Sequence, residues 1–184
     1  MFKKYAEKNM TTKTKIYCGE QFDKSALVVE TLGSIDELGA FLALAANKTK
    51  NDDTKQILKN IQSYMFVSGS DISTSIANNP RIKQEDVIEL ENTINRIDED
   101  LQPIRNFVIP SGSEASLLLN ICRTLSRRTE RRLIALKDQQ ELNEHLLKFF
   151  NRLSDLFFVL ARYENKLSNV NEELWIDKSN NSID

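Results

Sequence analysis

Arg123, Arg127 and Arg131 recur every four residues, so on a helix they stack as one row of guanidinium groups, with Arg128 and Arg132 beside them. Like charges at that spacing repel by about 0.2–0.5 kcal/mol per pair on an isolated helix. One acid, Glu130, stands a step off the row. Something anionic has to compensate. Carboxylates of neighbouring helices can do so, which leaves a solvated basic face with surface ion pairs. A polyphosphate lying along the row, held by guanidinium forks, can do so equally. The residue types leave both open.

A second polar row follows. Asn151, Asp155, Phe158 and Arg162 share a helix face beside the apolar stripe of Leu153, Leu156, Phe157 and Leu160. A carboxylate and a guanidinium inside an apolar segment need partners, because unpaired burial of charge is costly. The pair reads either as a core ion pair that sets helix register or as the polar wall of a site between helices. A single histidine, His145, and two distant cysteines, Cys18 and Cys122, do not make a metal site. The cysteines read as free buried thiols of a reducing cytoplasm.

The elements that position these rows follow from apolar spacing of helical period between breaks at Gly33, Pro80, Pro103 and Pro110. The first helix is expected to open at Ser34, where Ser34 and Glu37 have capping-box spacing. The second is expected from about Asp53 to Ile76 and the third from about Lys83 to Ile97. The fourth opens in Ser111-Gly112-Ser113-Glu114 and runs to about Lys137; the fifth runs from about Gln140 to Leu167. Five helices with short connections predict an all-α, up-and-down bundle. It is read as one domain over 1–184, with an irregular segment over 1–23 and a polar tail over 169–184 that frays except at Trp175.

Composition agrees with this and removes other classes. A hydrophobic content of 40% over 184 residues suits one sizeable core. A net charge of −2 gives no basic surplus for nucleic acid. No apolar run approaches the ~20 residues that span a bilayer. The Lys-rich stretch from Met1 to Lys15 lacks the apolar centre of a secretory signal.

Four motifs, in order, carry a family resemblance. Val29-Glu30-Thr31-Leu32-Gly33-Ser34-Ile35-Asp36-Glu37-Leu38 is similar to a Val-Glu-Ala-x-Gly-x-x-Asp-Glu-Leu segment, with Gly39 in place of the usual Asn. Phe107-Val108-Ile109-Pro110-Ser111-Gly112 is similar to a Phe-x-x-Pro-Gly-Gly turn, with Ser111 for the first glycine. Arg123-Thr124-Leu125-Ser126-Arg127-Arg128-Thr129-Glu130-Arg131 is similar to an arginine-rich helix. Asn151 to Arg162, with Asn165 after it, is similar to a C-terminal signature. Together, from about Lys24 to Asn165, the chain resembles the trimeric (propanediol-utilisation type) ATP:cob(I)alamin adenosyltransferases.

The resemblance implies a homotrimer of five-helix subunits with sites at the interfaces. It implies ATP, Mg²⁺ and cobalamin, the last as substrate. Arg123 and Arg127 match arginines that contact ATP or organise its site, and Asn151 matches an ATP-binding Asn. Lys24 matches a triphosphate-binding lysine, Glu30 a nearby acid, and Asp36 an acid that pairs across the interface with the arginine at Arg127. Phe107 matches the aromatic under the corrin ring, where it excludes the lower axial ligand. Co(I) then attacks the 5′ carbon of ATP and triphosphate leaves, stabilised by cations.

The chain departs from the family at its phosphate loop. The family opens with Thr-x-Thr-Gly-Asp-x-Gly-x-Thr. Here Thr12-Lys13-Thr14 is followed by Lys15 to Glu20 without Gly-Asp-x-Gly. Alternatively Lys15-Ile16-Tyr17 matches the strand before that motif and the loop is missing. Gln21 also replaces a usual arginine. Thr12, Thr14 and Lys24 are left to offer hydroxyls and charge without a glycine nest. Two functions follow: an adenosyltransferase with a divergent ATP loop, or a non-catalytic relative that binds a corrinoid, a nucleotide or a protein partner.

Overall fold

The computed structural model describes residues 12–74 and 80–176. Its helices are α1 Leu27–Lys48, α2 Asp52–Ser73, α3 Gln84–Asp98, α4 Glu114–Lys137 and α5 Glu144–Leu167. Helix α4 packs between α1 and α5, α2 lies on α1, and α3 lies on α5. The inward stripes meet in one core around Leu38, Leu42, Leu58, Leu119, Phe149 and Phe157, all essentially without solvent contact.

Two helix starts, those of α1 and α5, differ from the sequence expectation. Helix α1 begins at Leu27, seven residues before Ser34. Ser34 is buried and its hydroxyl donates to the Thr31 carbonyl at 2.7 Å, while the Thr31 hydroxyl donates to the Leu27 carbonyl at 2.7 Å. Hydroxyls that bond back to the preceding turn are satisfied inside a helix, so the capping-box spacing marks no start. Helix α4 opens within the expected Ser111–Glu114 stretch, capped by Ser113, whose hydroxyl accepts the Ser116 N–H at 3.2 Å. Helix α5 starts after Asn143, later than Gln140, because the Asn143 side chain accepts the His145 N–H. The expected end of the second helix at Ile76 lies outside the described residues, as do residues 1–11 and 177–184.

A buried carboxylate ties the α2–α3 connection. Asp71 accepts the N–H of Arg81 at 2.9 Å, the N–H of Ile82 at 3.0 Å and the Asn143 amide at 2.9 Å. The Asn143 amide also donates to the Ile82 carbonyl at 2.8 Å. A carboxylate this deep is tolerated because donors surround it.

Two small ladders lie outside the helices. β1 Lys13–Lys15 and β2 Gln21–Asp23 form an antiparallel hairpin with Thr14 opposite Phe22. β3 Val108–Ile109 pairs antiparallel with β4 Glu173–Leu174. The tail is therefore anchored at least to Trp175, and the reason is a buried charge. Arg162 is 5% exposed; its Nε donates to the Glu172 carboxylate at 2.5 Å and its Nη2 to the Gln102 carbonyl at 2.6 Å. Both readings of the second polar row apply to Arg162, which is ion-paired from inside the bundle, to Glu172 of the tail and not to Asp155, and which also lines a cavity. Asp155 bonds Arg152 at 2.8 Å. Cys122 is buried, but Cys18 is exposed on the hairpin turn, contrary to expectation.

Candidate functional site

The arginines of α4 divide between two faces. Arg128 forms an ion pair with Glu37 and Arg132 with Glu30, both acids on α1. The neighbouring helix thus neutralises two of the five arginines. Arg123, Arg127 and Arg131 have no ion pair with any described residue; the side-chain bond of Arg123 runs from Nε to Asn120 Oδ1 at 3.2 Å. Burial, and after it the charge of Arg127, lowers the pKa of the Arg123 guanidinium. An anion beside it relieves both effects.

Arg123 and Phe107 line the same cavity, of about 250 Å³, with Asn120, Phe158 and Arg162. Phe107 is 80% exposed and immediately precedes β3. Its carbonyl accepts the Trp175 N–H at 2.8 Å, and the two rings meet edge to face at 6.5 Å. After β3 the chain turns at Gly112, φ +102°. Asn165 bridges that turn: its Oδ1 accepts the Ser113 N–H and its Nδ2 donates to the Ser111 carbonyl, both at 3.0 Å. The end of α5 therefore fixes the start of α4, and with it the register that brings Phe107 to Arg123.

The other sequence-predicted residues lie elsewhere. Asp36 is exposed on α1 and opens into a separate cavity of about 590 Å³ with Tyr17, Gly39, Met65 and Phe66. The structure does not bring it to Arg127 within the chain. Glu30 is taken by Arg132. Asn151 donates to Glu130 at 2.7 Å and faces a third opening with Glu91 and Arg152. Thr14 sits in β1, and Lys24 follows β2 with its N–H bonded to the Thr12 carbonyl at 2.7 Å. In the hairpin turn, the Ile16 N–H bonds the Glu20 carbonyl at 3.1 Å and the Gly19 N–H bonds Ile16 at 2.9 Å. Those two amides are engaged within the turn and do not point out as a phosphate nest.

Sequence reasoning missed Glu37, Asn120 and the Trp175 contact. Glu30 and Glu37, seven apart, fall on one face of α1, a signal that matches Arg128 and Arg132. Asn120 stands three residues before Arg123, within reach on a helix. The tail's one signal was Trp175 itself, and nothing near it names Phe107 as its partner.

The chain matches the sequence profile described as cobalamin adenosyltransferase over residues 5–164. A corrinoid adenosyltransferase of Bacillus subtilis is 35% identical over 159 residues, 84% of this chain and 82% of that protein. One of Citrobacter freundii is 33% identical over 174 residues, covering 92% of this chain and 99% of that protein. Among solved structures, a variant PduO-type ATP:corrinoid adenosyltransferase from Lactobacillus reuteri, complexed with cobalamin and ATP, superposes with a TM-score of 0.84 at 28% identity. That match covers 90% of this chain and 92% of the other.

Proposed function

The chain belongs to the cobalamin adenosyltransferase family, and on that premise we propose that its α4 arginine row holds the triphosphate of ATP while Phe107 meets the corrin ring. The reaction transfers the 5′-deoxyadenosyl group of ATP to cobalamin. The bond from cobalt to C5′ forms as the C5′–oxygen bond breaks, and the electron pair leaves with triphosphate. No proton has to move, so the protein needs no general base. Its work is to hold the two substrates in line and to stabilise the leaving charge.

The observation that carries the assignment is the division of α4. Arg128 and Arg132 are neutralised by α1, while Arg123 and Arg127 keep guanidinium donors without a carboxylate partner among the described residues. Arg123 also shares a cavity with Phe107, which supports one site for both substrates. Lys24, Thr12 and Thr14 complete the phosphate contacts from the hairpin, and Asn151 contributes from α5. Among the described residues no cluster of three or more His, Cys, Asp or Glu is placed to hold a metal. That suits Mg²⁺ entering on the phosphates with most of its waters kept. There it would neutralise charge on the leaving triphosphate.

We place the working site between copies in a homotrimer. Phe107 with Arg123, Asp36, and Asn151 fall in three separate openings of one chain. Asp36 and Arg127 each lack an ion-pair partner among the described residues, as expected of groups that meet across an interface. Exposed Tyr17 and Phe66 flank Asp36 and give that surface the apolar area an interface buries. The proposed setting is the cytoplasm, which suits the exposed free thiol of Cys18.

Calorimetry with ATP at millimolar Mg²⁺, paired with sedimentation, tests the reading. The expected result is weak, Mg²⁺-dependent binding by a single trimeric species, lost on Arg127→Ala. A monomer, or no heat with millimolar ATP, sets the site assignment aside and favours a relative that binds without catalysis.

A further inference from the structure

We propose that the Arg162–Glu172 ion pair is a latch that positions Phe107 for the corrin substrate, acting through the C-terminal strand and Trp175. The proposal rests on the reading that Phe107 meets the corrin ring.

Arg162 joins three parts of the chain from inside the bundle. Its Nε and Nη2 reach the two Glu172 oxygens at 2.5 and 3.3 Å. Its Nη2 donates to the Gln102 carbonyl at 2.6 Å, and its Nη1 lies 3.8 Å from Asp98. The Phe158 ring lies beneath the guanidinium at 5.9 Å. The end of α3, the segment leading to Phe107 and the tail after α5 are therefore held by one buried side chain.

From Glu172 the tail enters β4 directly. Two residues of ladder, Val108 with Leu174 and Ile109 with Glu173, are too few to hold a strand unaided. The buried ion pair next to them supplies the anchor. One residue further on, the Trp175 N–H bonds the Phe107 carbonyl and its ring meets the Phe107 ring at 6.5 Å and 69°. Phe107 is 80% exposed, so the core does not hold its ring; the ring contact the structure gives it is the edge-to-face one with Trp175. Arg162 lines the same cavity as Phe107, which puts the latch beside the space it governs. A ring ordered before the substrate arrives avoids the entropy of ordering it on binding. Arg162, Glu172 and Trp175 are positioning residues: they hold Phe107 and do not touch the reacting atoms.

The chain has one tryptophan, Trp175, so its fluorescence reports the tail independently of activity. The full-length protein is compared with Glu172→Gln and Glu172→Asp for Trp emission, acrylamide quenching, Tm, and KM for cob(I)alamin and for ATP. Losing one charge-assisted contact predicts a red-shifted, more quenchable Trp175 in Glu172→Gln and a KM for cob(I)alamin raised about tenfold. The KM for ATP stays unchanged, and Glu172→Asp recovers most of the loss. Wild-type emission and corrinoid KM in Glu172→Gln overturn the latch. So does an equal rise in both KM values alongside a fall in Tm, which marks general loosening. Phe107→Ala runs in parallel: wild-type corrinoid kinetics there overturn the reading of Phe107, while Trp175 emission still reports separately whether the ion pair holds the tail.

Discussion

A Cβ placed on Gly112 would lie 2.2 Å from Asn165 Oδ1, so the turn before α4 and the end of α5 close on each other with no room for a side chain. Gly112 also sits at φ +102°, where a substituted residue is strained by about 1–3 kcal/mol. Gly112→Ala adds to that strain the displacement of Asn165 from its bonds to Ser111 and Ser113, a further ~1–3 kcal/mol. Asn165→Ala removes those bonds but vacates the space. The double variant should therefore lose clearly less than the sum, with a coupling of about 1 kcal/mol or more in a denaturation cycle. Strict additivity would show that the two residues do not share this space.

Arg123→Ala and Arg127→Ala should each weaken ATP at least about tenfold, the scale of one charge-assisted contact, with little change in Tm. Arg128→Ala and Arg132→Ala break partly exposed ion pairs to α1 and should change stability by about 0–1 kcal/mol and ATP affinity little. Titration calorimetry on the four variants separates the faces. An Arg132→Ala protein as defective as Arg127→Ala would contradict the division.

Phe107→Ala removes an exposed ring, so unfolding free energy should stay within about 0.5 kcal/mol of wild type. ATP affinity should hold while adenosylation falls steeply. If stability and activity fall together, the ring serves packing and not the substrate.

Burial pushes the Cys122 thiol from an ordinary 9.0 up to about 12. Burial, and then the hydrogen bond to Asp86, pushes the Tyr64 phenol from 10.0 to about 12. Both groups hold their protons more tightly folded than unfolded. Their contribution is complete below about pH 9 and is lost as pH climbs from 9 toward 12. Urea melts between pH 8 and 11 should show that fall, shallower in Cys122→Ala. A thiol reagent at pH 8 should count one reactive cysteine, Cys18, in the native protein and two in urea; two native thiols would refute the burial of Cys122.

The parts legible in the sequence were those with local period: the five helices, the α4 row and the apolar stripe of α5. The arginine row was readable because charge at helical spacing demands an anion whatever the fold. The start of α1 was not, since Ser34 satisfies its hydroxyl within the helix and imitates a cap. Beyond Trp175, the anchoring of the tail was illegible for a different reason. Glu172 is recruited by a guanidinium on another element, buried only once the bundle has formed, and nothing in residues 169–176 announces that. The pairing of Phe107 with Trp175 depends on that same long-range event.

The Asp71 carboxylate binds the N–H groups of Arg81 and Ile82 from the last turn of α2, which staples together the two ends of a connection that passes through residues 75–79. Asp71 and Asn143 therefore fix Arg81 and Ile82, the residues that lead into α3. Such a closed gate makes the α2–α3 link a place where descendants of this sequence can gain or lose residues. Each doubling of the loop adds only about 0.6 kcal/mol of closure entropy. Insertion of a flexible Gly-Ser segment there should leave Tm and adenosylation close to wild type, and the same insertion in an Asp71→Ala background should not.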